Sequence, residues 1–132
     1  MIKYLIRKEK YDIEDVLSKT LLFMDRRKSD KETKVDYDGD LMKMASDRYK
    51  CFVSSGTKCV TCGIEGSYFA KERHQNDNVY HFNLYALGGN GEEVLMTKDH
   101  IFPKSKGGRD EVVNYQTMCS PCNKEKGDKI IS

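Results

Sequence analysis

Apolar positions recur at helical spacing early in the chain and alternate later. Ile13, Val16, Leu17, Thr20, Leu21 and Met24 fall on one face of a helix that Asp12 is placed to cap. Residues 26–32 are polar enough for a loop. A second helix is predicted after Asp40, with Leu41, Met44 and Ala45 inward and Tyr49 at its end, and with Met42 and Met44 as core filler. Residues 1–10 read as a short strand or an irregular arm. From Cys59 onward, strand-like stretches separated by glycine turns take over. Tyr68-Phe69-Ala70 is one such stretch, and residues 80–87 alternate as a half-buried strand does. The turn at residues 88–91 leads a return strand, Val94 to Thr97, into Asp99-His100-Ile101, so the pair reads as a hairpin. Gly107-Gly108 marks another turn, and residues 112–118 predict a short strand. Ser120 then suits a helix N-cap, Pro121 the first helical position and Gly127 the end.

Composition narrows the class. A chain of 132 residues fits one domain, with room for a helical extension. Apolar residues make up 38% and charged residues 33%, a globular but hydrophilic balance whose small core gains from an added staple. A net charge of +2 names no partner. Its distribution says more, because Lys104, Lys106, Arg109, Lys124, Lys126 and Lys129 cluster near the C-terminus, as a phosphate-facing patch or as a solvated surface. No apolar run is long enough to span a membrane, and charge interrupts the first residues too early for a secretory segment. The expected location is therefore the cytoplasm, of the cell or of a phage-infected host. There a reducing environment disfavours disulfides.

The five cysteines then need another explanation. Cys59-Val60-Thr61-Cys62 and Cys119-Ser120-Pro121-Cys122 are two CxxC pairs. Each pair can turn both sulfurs toward one zinc ion at about 2.3 Å, and two pairs complete a tetrahedral shell with no position for water. That is a structural site. It would contribute on the order of 10 kcal/mol to folding and would close everything between the pairs into one loop. Cys51 has no partner and reads as a small buried apolar residue.

Inside that loop stand Asp99-His100, Gly107-Gly108 and Asn114, followed by Asn123 directly after Cys122. This arrangement resembles the HNH (ββα-metal) endonuclease family over Cys59 to about Lys129. The one departure is Asn123, where founding members carry a second histidine. The resemblance implies an α+β fold with a ββα-metal core stapled by a four-cysteine zinc site over residues 57–132, beside an N-terminal helical extension over 1–56. It also implies a metal-dependent nuclease acting on DNA. In that role His100 would be the general base, Asp99 and Asn123 the ligands of a catalytic Mg²⁺ or Mn²⁺, and Asn114 the residue that fixes the backbone presenting His100. The products implied are a 5′-phosphate and a 3′-hydroxyl, and the small size resembles phage-encoded members.

The residue types suit that chemistry on their own. Histidine titrates near neutral pH and can take a proton from water. A carboxylate and an amide oxygen suit a hard cation that keeps several waters. On a regular strand Asp99 and His100 point to opposite faces, so the resemblance implies a distorted strand end that lets both line one cleft. Lys126 and Gly127 lie one helical turn beyond Asn123, where Lys126 would contact a phosphate and Gly127 would let a strand approach. Lys104, Lys106, Arg109 and Lys124 are further candidates for DNA contact. His74 and His81 are the other histidines, and His81, on a strand, would either donate a hydrogen bond to DNA or simply sit at the surface. The alternative class is a non-catalytic, zinc-stapled nucleic-acid-binding module, which would have no need of Asp99, His100, Asn114 and Asn123 in these relative places. Whether the protein is a monomer or a homodimer stays open, as do sequence specificity and the role of residues 1–56.

Overall fold

The computed structural model describes residues 5–130. It is a mixed fold with three α-helices and antiparallel sheets among those residues. Strand β1 (Leu5–Tyr11) leads into helix α1 (Ile13–Leu21), then a hairpin of β2 (Lys34–Tyr37) and β3 (Asp40–Lys43), then helix α2 (Asp47–Ser55). Four strands follow: β4 (Gly66–His74), β5 (His81–Leu87), β6 (Glu93–His100) and β7 (Tyr115–Cys119), closed by helix α3 (Ser120–Lys126). The larger sheet has the order β1-β4-β5-β6-β7. The expectation over residues 1–4 lies outside the described residues. Among the described residues, no helix is long and apolar enough to cross a membrane.

The N-terminal half differs from the helical expectation. Leu41 and Met42 belong to β3, not to a helix. Asp38-Gly39 explains this, since both residues take positive φ (52° and 96°), the conformation a tight hairpin turn requires and Asp-Gly supplies. The helix starts later, where Ser46 caps it by accepting from the Tyr49 backbone N–H at 3.3 Å, so Tyr49 opens the helix instead of ending it. Within α1, Asp12 stands at the N-cap position but its side chain makes no capping bond. Val16 and Thr20 are buried, Thr20 donating to the Met44 carbonyl at 2.8 Å, while Leu21 faces out and Met24 lies past the helix end.

Strand β1 is the edge of the main sheet, paired along β4 from Leu5↔His74 to Tyr11↔Phe69. One apolar cluster joins Val16, Tyr37, Met42, Met44, Tyr49 and Phe52 to Phe69, Phe82, Leu84, Met96 and Met118. The segments on either side of residue 56 thus share a core. Phe82 is its hub, with edge-on contacts to Tyr11 (5.4 Å), Tyr37 (4.9 Å) and Phe69 (6.0 Å). Strand β5 is buried on both faces from Phe82 to Ala86, not half-buried as its alternation suggests. On the second face Glu72 accepts from Arg7 (2.7 Å), Asn83 (2.7 Å) and Tyr85 (2.7 Å), so a polar network covers what alternation assigns to solvent.

Candidate active site

Two groups of side chains lie along the β6–β7 pair, the cysteines beside Met96 and a cleft at the C-terminal end of β6. The first holds the cysteines. Cys59 and Cys62 flank a turn ahead of β4, and Cys119 and Cys122 span the junction of β7 and α3. Four sulfurs bound to one zinc at about 2.3 Å lie about 3.8 Å apart. The Cys62 and Cys119 sulfurs are 3.7 Å apart, and all four ligand atoms lie within 4.8 Å of one another. The thiols also suit a cation electrostatically. Burial pushes Cys59 up, but backbone N–H groups of Cys62, Cys119 and Thr61 outweigh it and bring the thiol down to about 6. Burial raises Cys119, and its thiol in turn raises Cys122. A divalent ion relieves that competition for one negative charge. The four cysteines are positioned to bind a metal ion, consistent with structural zinc. Cys51 stands apart, buried with its sulfur 3.7 Å from the Thr117 hydroxyl.

The second group borders a cleft of about 230 Å³ lined by Asp99, His100, Asn123, Lys126 and Gly127 with residues of the loop after β6. The β6–β7 ladder keeps its register through Asp99↔Gln116 and His100↔Tyr115, so the distortion expected at the strand end is absent from the pairing. Alternation holds instead. Asp99 turns toward α3 and is buried, while His100 turns toward the loop. Both reach one cleft because it wraps around the strand end, with α3 on one side and Pro103–Ser105 on the other.

Each side chain has defined partners. Asp99 accepts from the Gln116 amide at 2.9 Å, and the Lys126 ammonium lies 3.2 Å from its Oδ2. Lys126 also donates to the His100 carbonyl at 3.1 Å. Expected to face a phosphate, Lys126 is instead only 4% exposed, because the buried Asp99 carboxylate needs a paired cation. Asn123 donates its amide to the Thr97 hydroxyl at 2.7 Å, which leaves Oδ1 for the cleft. Asn114 clamps the loop: its Oδ1 accepts from the Phe102 N–H at 2.9 Å, and its Nδ2 donates to the carbonyls of Phe102 (3.1 Å) and Arg109 (3.0 Å). Gly108 is required there, since a Cβ would lie 1.8 Å from the Phe102 carbonyl oxygen. The fold thus brings Asp99, His100 and Asn123 to one cleft, with Asn114 behind the loop that follows His100.

Residues 88–132 match the family model described as HNH endonuclease. The match covers the C-terminal third of the chain and supports an HNH family assignment. No curated protein and no solved structure matches the chain. The matched HNH segment contains Asp99, His100, Asn114, Cys119, Cys122 and Asn123, while Cys59 and Cys62 reach the same cluster from outside it. The match suggests nuclease activity in general, and the HNH nucleases act on DNA.

Two partners in the HNH cleft escaped the sequence reading. Asp110 sits 2.7 Å from His100 Nε2, and it also accepts from Lys104 at 2.9 Å. The Lys104 ammonium, followed by the His100 ring, holds the Asp110 carboxyl down at about 2. Gln116 is the other, on Asp99. The only signal for Asp110 was its place beside the Gly107-Gly108 turn, which no spacing rule links to His100. Of the expected DNA contacts, Lys104, Lys106, Arg109 and Lys124 are exposed. Lys104 is paired to Asp110, and Arg109 lies 3.5 Å from Glu111. His81 is half-buried, and burial followed by the nearby Arg48 lowers its pKa.

Proposed function

We propose that the chain is a metal-dependent endonuclease that hydrolyses DNA phosphodiester bonds in the cleft at the end of β6. The observation that carries this reading is the convergence of Asp99, His100 and Asn123 on one cleft within a segment that matches the HNH family. In this reading β6, β7 and α3 form the ββα-metal core, and zinc on the four cysteines fixes the start of the helix that carries Asn123.

His100 is the general base. Asp110 is ionised and can only accept, so the 2.7 Å bond requires the proton on Nε2. That leaves the Nδ1 lone pair to take a proton from the attacking water. Asp110 thereby sets the tautomer and the orientation of the ring, and the Tyr115 ring, edge-on at 5.2 Å, limits its swing. Asn114 holds the loop that carries Asp110 against the strand end. Asp99 and Asn123 would hold Mg²⁺ or Mn²⁺, a fit for one carboxylate and one amide oxygen. When bound, that cation neutralises charge on the scissile phosphate and the leaving oxygen. Lys126, 3.2 Å from Asp99 Oδ2, holds that side chain in place. The exposed Lys106, Arg109 and Lys124, with Lys104 at the cleft, would meet the flanking phosphates.

Incubating supercoiled plasmid with the protein across a panel of divalent ions tests this. Nicked or linear DNA is expected with Mg²⁺ or Mn²⁺. DNA that is bound but never cut, with every ion tried, would identify a non-catalytic nucleic-acid-binding module instead.

A further inference from the structure

A second and larger cleft, about 440 Å³, opens between the N-terminus of α2, the end of β3 and the start of β5. It is lined by Lys28, Lys43 and Arg48, with Tyr49, Val79 and Tyr80 supplying apolar surface and His81 beside them. None of its lining residues is acidic. Lys28 and Lys43 are exposed, and neither has an ion-pair partner among the described residues, whereas the half-buried Arg7 and the buried Lys71 and Lys126 are matched to carboxylates. Arg48 is anchored through Asn83 Oδ1 at 2.9 Å and through the Phe82 carbonyl, which fixes its position at the wall. Val79 is 46% exposed, an aliphatic side chain left open at the edge of a cationic cleft.

Its place in the sheet relates it to the HNH cleft. β5 and β6 run antiparallel, pairing Tyr85↔Leu95 and Leu87↔Glu93, so the start of β5 and the end of β6 lie at the same end of the sheet. His81 and His100 therefore both lie beyond the Tyr85↔Leu95 pair, toward the same end of the β5–β6 ladder. Unmatched cations select a phosphate, and apolar walls select the face of an aromatic ring. A concave pocket of this volume admits a small ring-bearing ligand, but a base stacked inside a duplex cannot enter it.

We propose that this cleft seats an unpaired nucleotide of the DNA strand being cut, its base against Val79 and Tyr80 and its phosphates on Lys28, Lys43 and Arg48. This rests on the nuclease reading for the source of the strand, and it makes the preferred substrate a duplex with a single-stranded flank.

The test measures binding of a blunt duplex and of the same duplex with a single-stranded overhang, by fluorescence anisotropy without added Mg²⁺ or Mn²⁺. Cleavage of both is followed in parallel with those ions. The wild-type protein is expected to bind the overhang substrate roughly ten-fold more tightly. The Lys28→Glu/Lys43→Glu protein should lose that preference and still cut the blunt duplex at the wild-type rate. Val79→Asp, which places charge on the apolar wall, should do the same. Equal binding of the two substrates by wild type, or a preference that survives both variants, overturns the cleft assignment while leaving cleavage intact. Failure to cut either substrate overturns the nuclease reading, and the binding comparison still judges the cleft.

Discussion

At the scale of single residues, the proposed site depends on side chains whose hydrogen-bond partners fix their direction. Asp110→Asn replaces an obligate acceptor with a group that can present either end to the His100 ring. It is expected to lower kcat roughly 10- to 100-fold, as the loss of a partner orienting a histidine generally does, with little change in melting temperature. Steady-state cleavage with parallel thermal melts checks both. Lys126→Gln is expected to act on stability, because it leaves the Asp99 carboxylate buried without its cation. A loss of about 3 kcal/mol is expected, against about 0.5 kcal/mol or less for Lys124→Gln on the exposed side of the same helix. Denaturant unfolding of the two variants decides it. Gly108→Ala drives a Cβ into the Phe102 carbonyl and should cost about 1–3 kcal/mol of strain in the loop, reducing cleavage while zinc content stays at wild type.

At the scale of elements, the cysteine cluster and α3 act as one unit. α3 runs only from Ser120 to Lys126, too short to persist by itself. The cysteines at its start tie it to β7 and to the Cys59–Cys62 turn. Cys119→Ser is therefore expected to lower bound zinc, measured by metal analysis, and to unfold the C-terminal half by circular dichroism. Normal melting without zinc would contradict a structural role. This unit was legible because its rules are local, two equal CxxC spacings, a proline in the first turn and Gly127 at the end, although Cys119 and not Ser120 stands at the N-cap. Elsewhere the boundaries shifted. Strand β3 read as helix because Leu41, Met44 and Ala45 match helical spacing, while the Asp38-Gly39 turn that decides for strands lies just ahead of them. The second face of β5 was missed because its cover is a polar network contributed by Arg7 and Glu72, which alternation cannot register.

At the scale of the whole molecule, the first 56 residues supply a large part of the core. Val16, Tyr37, Met42, Met44, Tyr49 and Phe52 pack against Phe69, Phe82 and Leu84, and β1 completes the sheet. A fragment of residues 57–132 is expected not to fold, even with zinc, and its amide proton dispersion would show this directly. Asp99, His100, Asn114 and Asn123 could be proposed as a site in the sequence because the motif order is itself the signal. The partners that position them, Asp110, Gln116 and Lys126, could not, since each depends on which faces of β6, β7 and α3 meet in space.

The central claim is that His100 takes the proton from water in a cleft built for phosphodiester hydrolysis. Plasmid cleavage by His100→Ala, beside wild type in Mg²⁺ and in Mn²⁺, with zinc content and melting measured on the same samples, tests it most directly. The account predicts an unchanged fold, unchanged zinc and a loss of cleavage of about 10²- to 10⁴-fold. Cleavage by the alanine variant at the wild-type rate would contradict it.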